Sequence, residues 1–206
     1  MGSEAGVLRI IDVSDNNGAV DFGEVARAGI AAVWVKATEG RTFAAETYEH
    51  NLRSARAAGL AVGAYHFARP DHNAPEDEAR HFLSFLSLNA GDLRPALDFE
   101  TASNLSAAEQ VQWARDYNHV VFEEVRRWPV FYSFKSFIEG LGATTPIGGG
   151  LWLADYGRND GAEHAVAPPR PWRRILAHQY TSNGSIPGVH GRCDVSSAEQ
   201  LAALQV

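Results

Sequence analysis

The chain of 206 residues is 45% hydrophobic and 21% charged, which is typical of a globular domain and excludes a disordered or fibrous protein. Its net charge of -7, with no Lys/Arg cluster, argues against nucleic acid as the main partner. No stretch approaches the roughly 18 apolar residues of a membrane span, and a single cysteine, Cys193, excludes an internal disulfide.

Short apolar runs alternate with segments of helical spacing along most of the chain. The predicted strands are residues 8–11, 30–35, 60–64, 94–100, 129–132, 151–154, 174–180 and 192–195. The predicted helices are residues 21–28, 44–58, 75–88, 106–127, 133–141 and 197–204, and a loop is predicted over 181–188. The helix over 106–127 begins with a capping box formed by Ser106 and Glu109.

This order of elements predicts an α/β fold in a single domain, residues 1–206, with its core at about 8–204. Strand and helix alternate at first and then give way mostly to strands, which indicates a small barrel that lacks several late helices. A doubly wound open sheet is the alternative, but no G-x-G-x-x-G follows the first strand, so a dinucleotide-binding fold is not expected.

Two acids, Asp98 and Glu100, stand at the end of the strand over 94–100 and are separated by one aromatic residue. Alternate residues of a strand share a face, so both carboxyl groups point one way while Leu97 and Phe99 point the other way. Repulsion between the two charges tends to raise one pKa, which is a usual way to place a proton donor beside an anion. The other interpretation is an acidic loop entrance.

Polar and aromatic residues recur at the carboxyl ends of nearly all predicted strands. They are Asp12, Lys36, Tyr65, His66, Asp98, Glu100, Tyr132, Asp155, Tyr156, Gln179 and Asp194. The carboxyl ends of barrel strands converge on one mouth, where active sites of this architecture lie. We therefore expect these residues to meet in one cleft.

Acids that meet at one mouth favour either metal binding through oxygen ligands or glycoside hydrolysis by two carboxyl groups. The nearby rings of Tyr65, Trp152 and Tyr156 favour a sugar. No H-E-x-x-H and no paired Cys/His spacing occurs, so we predict no zinc, no other metal and no cofactor. His66 and His178 either reach the mouth or, as is more common at a strand end, form structural hydrogen bonds.

Seven short motifs in a fixed order resemble the glycoside hydrolase family 25 lysozymes, which are muramidases of phage endolysins, bacteria and fungi. They are residues 11–14 (IDVS), 35–40 (VKATEG), 63–67 (GAYHF), 97–100 (LDFE), 151–156 (LWLADY), 178–181 (HQYT) and 193–196 (CDVS). Each motif alone is weak, but the ordered set covers residues 9–196. Departures lie in the first loop and helix, where Asn16 and Asn17 replace His-Gln and Phe22 replaces a Trp.

The resemblance implies a flattened (β/α)5(β)3 TIM-like barrel that cleaves the β-1,4 bond between N-acetylmuramic acid and N-acetylglucosamine in peptidoglycan. By position, Glu100 is the implied general acid/base and Asp98 its neighbouring carboxylate, with Asp12 and Asp194 as further acids of the cleft. The implied sugar-lining residues are Tyr65, Trp152, Tyr156 and Gln179. We expect the charge of Asp98 to supply part of the rise in the Glu100 pKa.

Asp98 then either assists attack by the substrate's own 2-acetamido oxygen or serves a direct displacement by water with inversion. Two other functions stay open, a non-catalytic glycan-binding pseudoenzyme and a barrel glycosidase that acts on chitin. We expect a monomer whose partner is bacterial peptidoglycan, without appended wall-binding repeats. Residues 1–11 lack a signal-peptide pattern, so a phage lysin released from the host cytoplasm and a trimmed secreted enzyme both fit.

Overall fold

The computed structural model describes residues 7–206, so the first six residues, part of the segment searched for a signal peptide, lie outside the described part. Nine strands form the sheet. They are β1 (Leu8–Val13), β2 (Ile30–Glu39), β3 (Phe43–Ala44), β4 (Ala61–Phe67), β5 (Ala96–Asp98), β6 (Val130–Phe134), β7 (Leu151–Ala154), β8 (Ala177–Gly184) and β9 (Cys193–Ala198). Five helices follow the early strands. They are α1 (Phe22–Arg27), α2 (Tyr48–Ala57), α3 (Pro75–Phe85), α4 (Ala107–Val125) and α5 (Lys135–Leu141).

Eight of these strands close into a barrel, and β3 is a two-residue hairpin partner of β2. Neighbouring strands are parallel from β1 through β2, β4, β5, β6 and β7 to β8, whereas β9 runs antiparallel to both β8 and β1. Helices stand between the first six barrel strands and are missing after β7. The predicted single-domain α/β barrel of (β/α)5(β)3 type is confirmed.

The predicted closing helix over 197–204 is wrong. Ser197 and Ala198 continue β9 and pair with Arg9 and Leu8 of β1, and only a 3₁₀ turn at Leu201–Ala203 follows. A helix there would leave the backbone groups of β1 without partners, so the pairing that closes the barrel outweighs the local helical composition. For the same reason β8 continues to Gly184 through the predicted loop.

The barrel interior is filled by side chains that alternate along each strand, as expected of a closed sheet. Trp34 of β2 and Trp152 of β7 stack across the centre with ring centroids 4.3 Å apart. Gly63 of β4 makes room for this pair, because a Cβ there would lie 2.6 Å from Cδ1 of Trp34. The indoles therefore form a solid floor beneath the mouth of the barrel.

A second apolar layer lies between the barrel and the helices, and it contains one buried polar cluster. His66 points outward from β4, opposite to Tyr65, and its side chain is fully buried. Its Nε2 lies 2.8 Å from Oε2 of Glu78 on α3, and its Nδ1 lies 2.8 Å from Oγ1 of Thr38. The structure thus assigns His66 to the structural alternative and fastens α3 to the sheet through it.

We expect His66→Ala to lower the free energy of unfolding by about 3 kcal/mol, because it removes a partner of the buried Glu78 carboxylate. Urea denaturation at pH 7 measures the change. His119→Ala is the matched control, since His119 faces a glutamate on an exposed surface and should change stability by less than about 0.5 kcal/mol. Equal effects of the two variants would contradict a structural role for the buried pair.

Candidate active site

A cavity of about 250 Å³ opens at the carboxyl ends of the barrel strands. All eight residues predicted for the site line it, and five further residues complete its wall. The complete set is Asp12, Ser14, Asn16, Lys36, Tyr65, Phe67, Asp98, Glu100, Tyr132, Trp152, Tyr156, Gln179 and Asp194. The convergence expected from the strand-end pattern is therefore present for all of its residues except His66, which points outward, and Asp155, which lines an adjoining cavity.

The two acids of the LDFE motif lie as the strand alternation predicts. Asp98 is the last residue of β5 and Glu100 follows it by two residues, and both line the cavity. Leu97 and Phe99 point the other way into the fully buried layer beneath the helices. The backbone N–H of Phe99 donates to the carbonyl of Tyr132 at 3.0 Å, which keeps the segment extended beyond β5.

The other two acids are brought together by the closing pair of strands. Asp12 at the end of β1 lies directly opposite Asp194 of β9 in the antiparallel register. Directly opposed residues of an antiparallel pair have closely spaced side chains, so two acids far apart in sequence become neighbours. Their placement depends on β9, whose full length the sequence pattern missed.

Gln179 of β8 fixes one wall of the cavity through three hydrogen bonds. Its Nε2 donates to Oδ2 of Asp12 at 2.8 Å. Its Oε1 accepts from the hydroxyl groups of Tyr132 and Tyr156, both at 2.8 Å. The Gln179 amide is 1% exposed, so it orients its neighbours and offers little surface of its own.

Trp152 lies at the bottom of the cavity and is only 2% exposed. One face of its indole stacks on Trp34, the Tyr132 ring meets it edge-on, and its Nε1 donates to Oγ of Ser196 at 2.9 Å. Trp152 is therefore a floor residue, and little of its ring is available for stacking against a sugar. Tyr65 is also buried, whereas Tyr156 is partly exposed.

Burial raises the pKa values of all four acids, and repulsion by neighbouring acids adds to the rise in Asp12, Asp98 and Glu100. Burial raises the pKa of Asp98 well above its usual range, and the charges of Glu100 and Asp12 add to this effect. Burial also raises the pKa of Glu100, and the added charge is that of Asp194. Burial raises the pKa of Asp194 to about 6. The expected repulsion within the Asp98–Glu100 pair is thus present and raises the pKa of Asp98, and Asp194 is a further charge that raises the pKa of Glu100.

Asp98 has a buried carboxyl oxygen that residues 7–206 leave without a partner. It is 7% exposed, and its Oδ1 is buried without a hydrogen-bond partner in the described part of the chain. A buried carboxyl oxygen without a partner loses its hydration without compensation, so a ligand N–H or O–H donor that reached it would be bound favourably.

Five lining residues were not assigned to the site from the sequence. Lys36 and Tyr132 belong to the strand-end pattern, and their side chains face the barrel interior like those of the assigned residues. The alternation of side chains along the strands could therefore have identified them. Ser14, Asn16 and Phe67 follow strand ends as loop or terminal residues, and no local signal marks them. Asn16 occupies the loop that departs from the family pattern, so this departure borders the cavity.

The remaining polar candidates lie elsewhere. His178 points away from the cavity, and its Nε2 lies 2.8 Å from the carbonyl oxygen of Asp155. Within residues 7–206, no three His, Cys, Asp or Glu side chains are grouped so as to hold a metal ion. In the same part of the chain, no helix has the length and apolar character needed to cross a membrane.

A second cavity of about 500 Å³ adjoins the first and shares Glu100, Tyr132 and Tyr156 with it. Its other walls come from the start of α5 and the segment after β7. They are Phe134, Lys135, Ser136, Glu139, Ala154 and Asp155. Glu100 therefore lies at the junction of a small acidic cavity and a larger open one, an arrangement that fits an extended ligand.

Comparisons with known proteins agree with this architecture. The sequence profile described as Glycosyl hydrolases family 25 matches residues 11–189. The autolytic lysozyme of Clostridium acetobutylicum is 30% identical over 91% of this chain, and lysozyme M1 of Streptomyces globisporus is 28% identical over 94%. The chain spans 55% and 70% of the lengths of these two relatives. The crystal structure of the Streptomyces coelicolor lysozyme superposes with a TM-score of 0.86 at 25% identity, covering 96% of each chain.

We expect Asp194→Asn to raise the free energy of unfolding at pH 7 by about 1–3 kcal/mol. A carboxyl group whose pKa is higher in the folded state stabilises the fold below its ordinary pKa of 3.8, and this contribution is lost as the pH rises through about 6. The gain should therefore shrink as the pH falls toward 4.

Urea denaturation across this pH range measures the effect. Glu199→Gln is the control, because Glu199 is an exposed acid just after β9 and should leave stability nearly unchanged. A loss of stability in Asp194→Asn at pH 7 would contradict the conclusion that burial makes the ionised form of Asp194 unfavourable.

Proposed function

The chain belongs to the glycosyl hydrolases of family 25, and from this membership we propose that it hydrolyses bacterial peptidoglycan. The bond cleaved is the β-1,4 linkage from N-acetylmuramic acid to N-acetylglucosamine. The observation that carries the proposal is that four acids line one cavity, which adjoins a larger cavity at Glu100. Its place of action is the bacterial wall, reached by a released phage lysin or by secretion, and the active form is a monomer.

Glu100 is the proton donor in this proposal. It lies where the two cavities meet, so a glycosidic oxygen that bridges them falls beside its carboxyl group. Burial and the Asp194 charge raise the pKa of Glu100, which favours the protonated form that a general acid needs. After bond cleavage, the Glu100 carboxylate takes a proton from the water that completes hydrolysis.

Asp98 acts on the sugar whose bond is broken. Its buried, unpartnered Oδ1 is suited to accept the N–H of a 2-acetamido group, which would orient the acetamido oxygen toward the anomeric carbon. That oxygen then forms a bond to the anomeric carbon as the glycosidic bond breaks and Glu100 gives its proton to the leaving oxygen. Direct attack by water is the competing route.

Glu100→Gln should reduce wall lysis by about 10²- to 10⁴-fold while leaving the fold intact, because glutamine cannot donate the proton. A turbidity assay on bacterial walls, run beside a chitin-oligomer assay, measures both specificities. Glu123→Gln, an exposed acid on α4, is the control and should lyse walls like the unaltered protein. Near-normal lysis by Glu100→Gln would overturn the assignment.

The same pair of assays separates the alternative functions. Wall binding without lysis by the unaltered protein would indicate a glycan-binding pseudoenzyme, and cleavage of chitin oligomers alone would indicate a chitin-directed glycosidase.

Asp98→Asn should be about as severe as Glu100→Gln if the acetamido group is the nucleophile, because amide orientation and charge stabilisation are both lost. The anomeric configuration of the first product, followed by NMR, should then show retention. Inversion, or most of the activity left in Asp98→Asn, would favour direct attack by water with another acid, such as Asp194, as partner.

A further inference from the structure

Lys36 is the one basic residue among the lining residues of the acidic cavity in residues 7–206. It is near the carboxyl end of β2, the strand between those that carry Asp12 and Tyr65. Its side chain is 16% exposed, which is low for a lysine and means that the ammonium group is not free in solvent.

Several contacts fix the Lys36 ammonium group in place. Its Nζ lies 2.6 Å from Oε2 of Glu39, while Oε1 of Glu39 accepts from Nε of Arg69 at 2.8 Å. The same Nζ lies 4.9 Å from the ring centroid of Phe67 and 5.5 Å from that of Phe43 on the β3 hairpin. Because ionic and cation–π contacts hold the charge from several sides, little ordering is left to occur when substrate binds.

We propose that Lys36 is a positioning residue whose charge keeps the Asp98 and Glu100 pair, which lines the same cavity, at one proton instead of two, and that Glu39 and Phe67 hold this charge at the cavity edge. The inference rests on the proposed function, in which these two acids must be in different protonation states. It assigns a role to a side chain that neither donates the reaction's proton nor contacts the anomeric carbon.

Charge balance explains why such a cation is needed. The groups that face Asp98 from the surrounding elements are Asp12 on β1, Lys36 and Glu39 on β2, Tyr65 on β4, Glu100 after β5 and Tyr132 on β6. Three of these are acids that disfavour a negative charge on Asp98, and burial disfavours it further. Lys36 is the cation that opposes them, and it lowers the pKa values of both Asp98 and Glu100 against the effect of burial.

The proposal predicts a displaced pH profile when the charge is removed. In Lys36→Met and Lys36→Gln, both pKa values rise, so the acidic and alkaline limbs of kcat/KM on soluble peptidoglycan fragments move to higher pH by about one unit or more. On the acidic limb the rate should fall about tenfold or more, and Lys36→Arg should restore the original profile.

Arg53→Met is the control. It removes the same amount of charge, but Arg53 is an exposed residue of α2 that pairs with Glu49 and does not line the acidic cavity. Its limbs should therefore stay in place. Limbs displaced equally by Arg53→Met would assign the effect to net charge, and a uniform loss of rate in both neutral Lys36 variants without displacement would assign Lys36 a structural role. Either result overturns the proposal.

A readout without turnover separates this inference from the proposed function. ¹³C NMR of protein labelled at the aspartate carboxyl carbon, with the Asp98 signal assigned through Asp98→Asn, follows the ionisation of Asp98 directly. We expect its midpoint to rise by about one pH unit or more in Lys36→Gln and to be unchanged in Arg53→Met. If the unaltered protein lyses no walls but this midpoint shifts, the proposed function fails and the electrostatic role stands; an unmoved midpoint overturns the role.

Discussion

The pairing of β9 with β1 is the constraint on which the site depends. It closes the sheet, and its antiparallel register sets Asp12 opposite Asp194. It also places the Ser196 hydroxyl where it accepts the indole N–H of Trp152. Because β8 pairs with β9, the amide of Gln179 can then donate to Asp12. A shift of one residue in this pairing would turn every side chain of β9 to the other face, so the acidic cavity and the barrel close as one structural event.

The interior of the barrel explains how such a cavity is sustained. Below the mouth, the stacked indoles of Trp34 and Trp152 fill the centre and exclude water from beneath the acids. A dry floor strengthens every charge interaction above it, which makes the pKa rises large and makes a single fixed cation effective. The same dryness opposes folding, because buried carboxylates lose hydration that the protein replaces only in part. Function and stability therefore place opposite demands on the same few side chains.

Much of the site could be predicted from the sequence, because strand ends and strand alternation are local signals. Asp98 and Glu100 share a face with Leu97 and Phe99 opposed, as two-residue periodicity requires. What could not be predicted depends on closure. The composition of 197–204 is typical of a helix, yet Ser197 and Ala198 form a strand because they pair with the open edge of β1. Likewise, Asp194, whose charge raises the pKa of Glu100, is nearly a hundred residues away from it in the sequence. A pattern of neighbouring residues cannot predict such a long-range interaction.

The hydrogen bonds of Gln179 have a consequence for what the cavity can accept. Tyr132 and Tyr156 both use their hydroxyl hydrogens on one amide oxygen, so each turns only lone pairs toward a ligand. Together with Oδ2 of Asp12, which accepts from the same amide, this gives the Gln179 wall a uniform hydrogen-bonding polarity in which the protein accepts hydrogens. A hydroxyl or amide hydrogen of a ligand matches this wall, whereas a ligand carbonyl oxygen would meet lone pairs there. The donors of the cavity, the Lys36 ammonium group and the protonated Glu100, belong to other walls, so the Gln179 wall favours one orientation of a bound ligand.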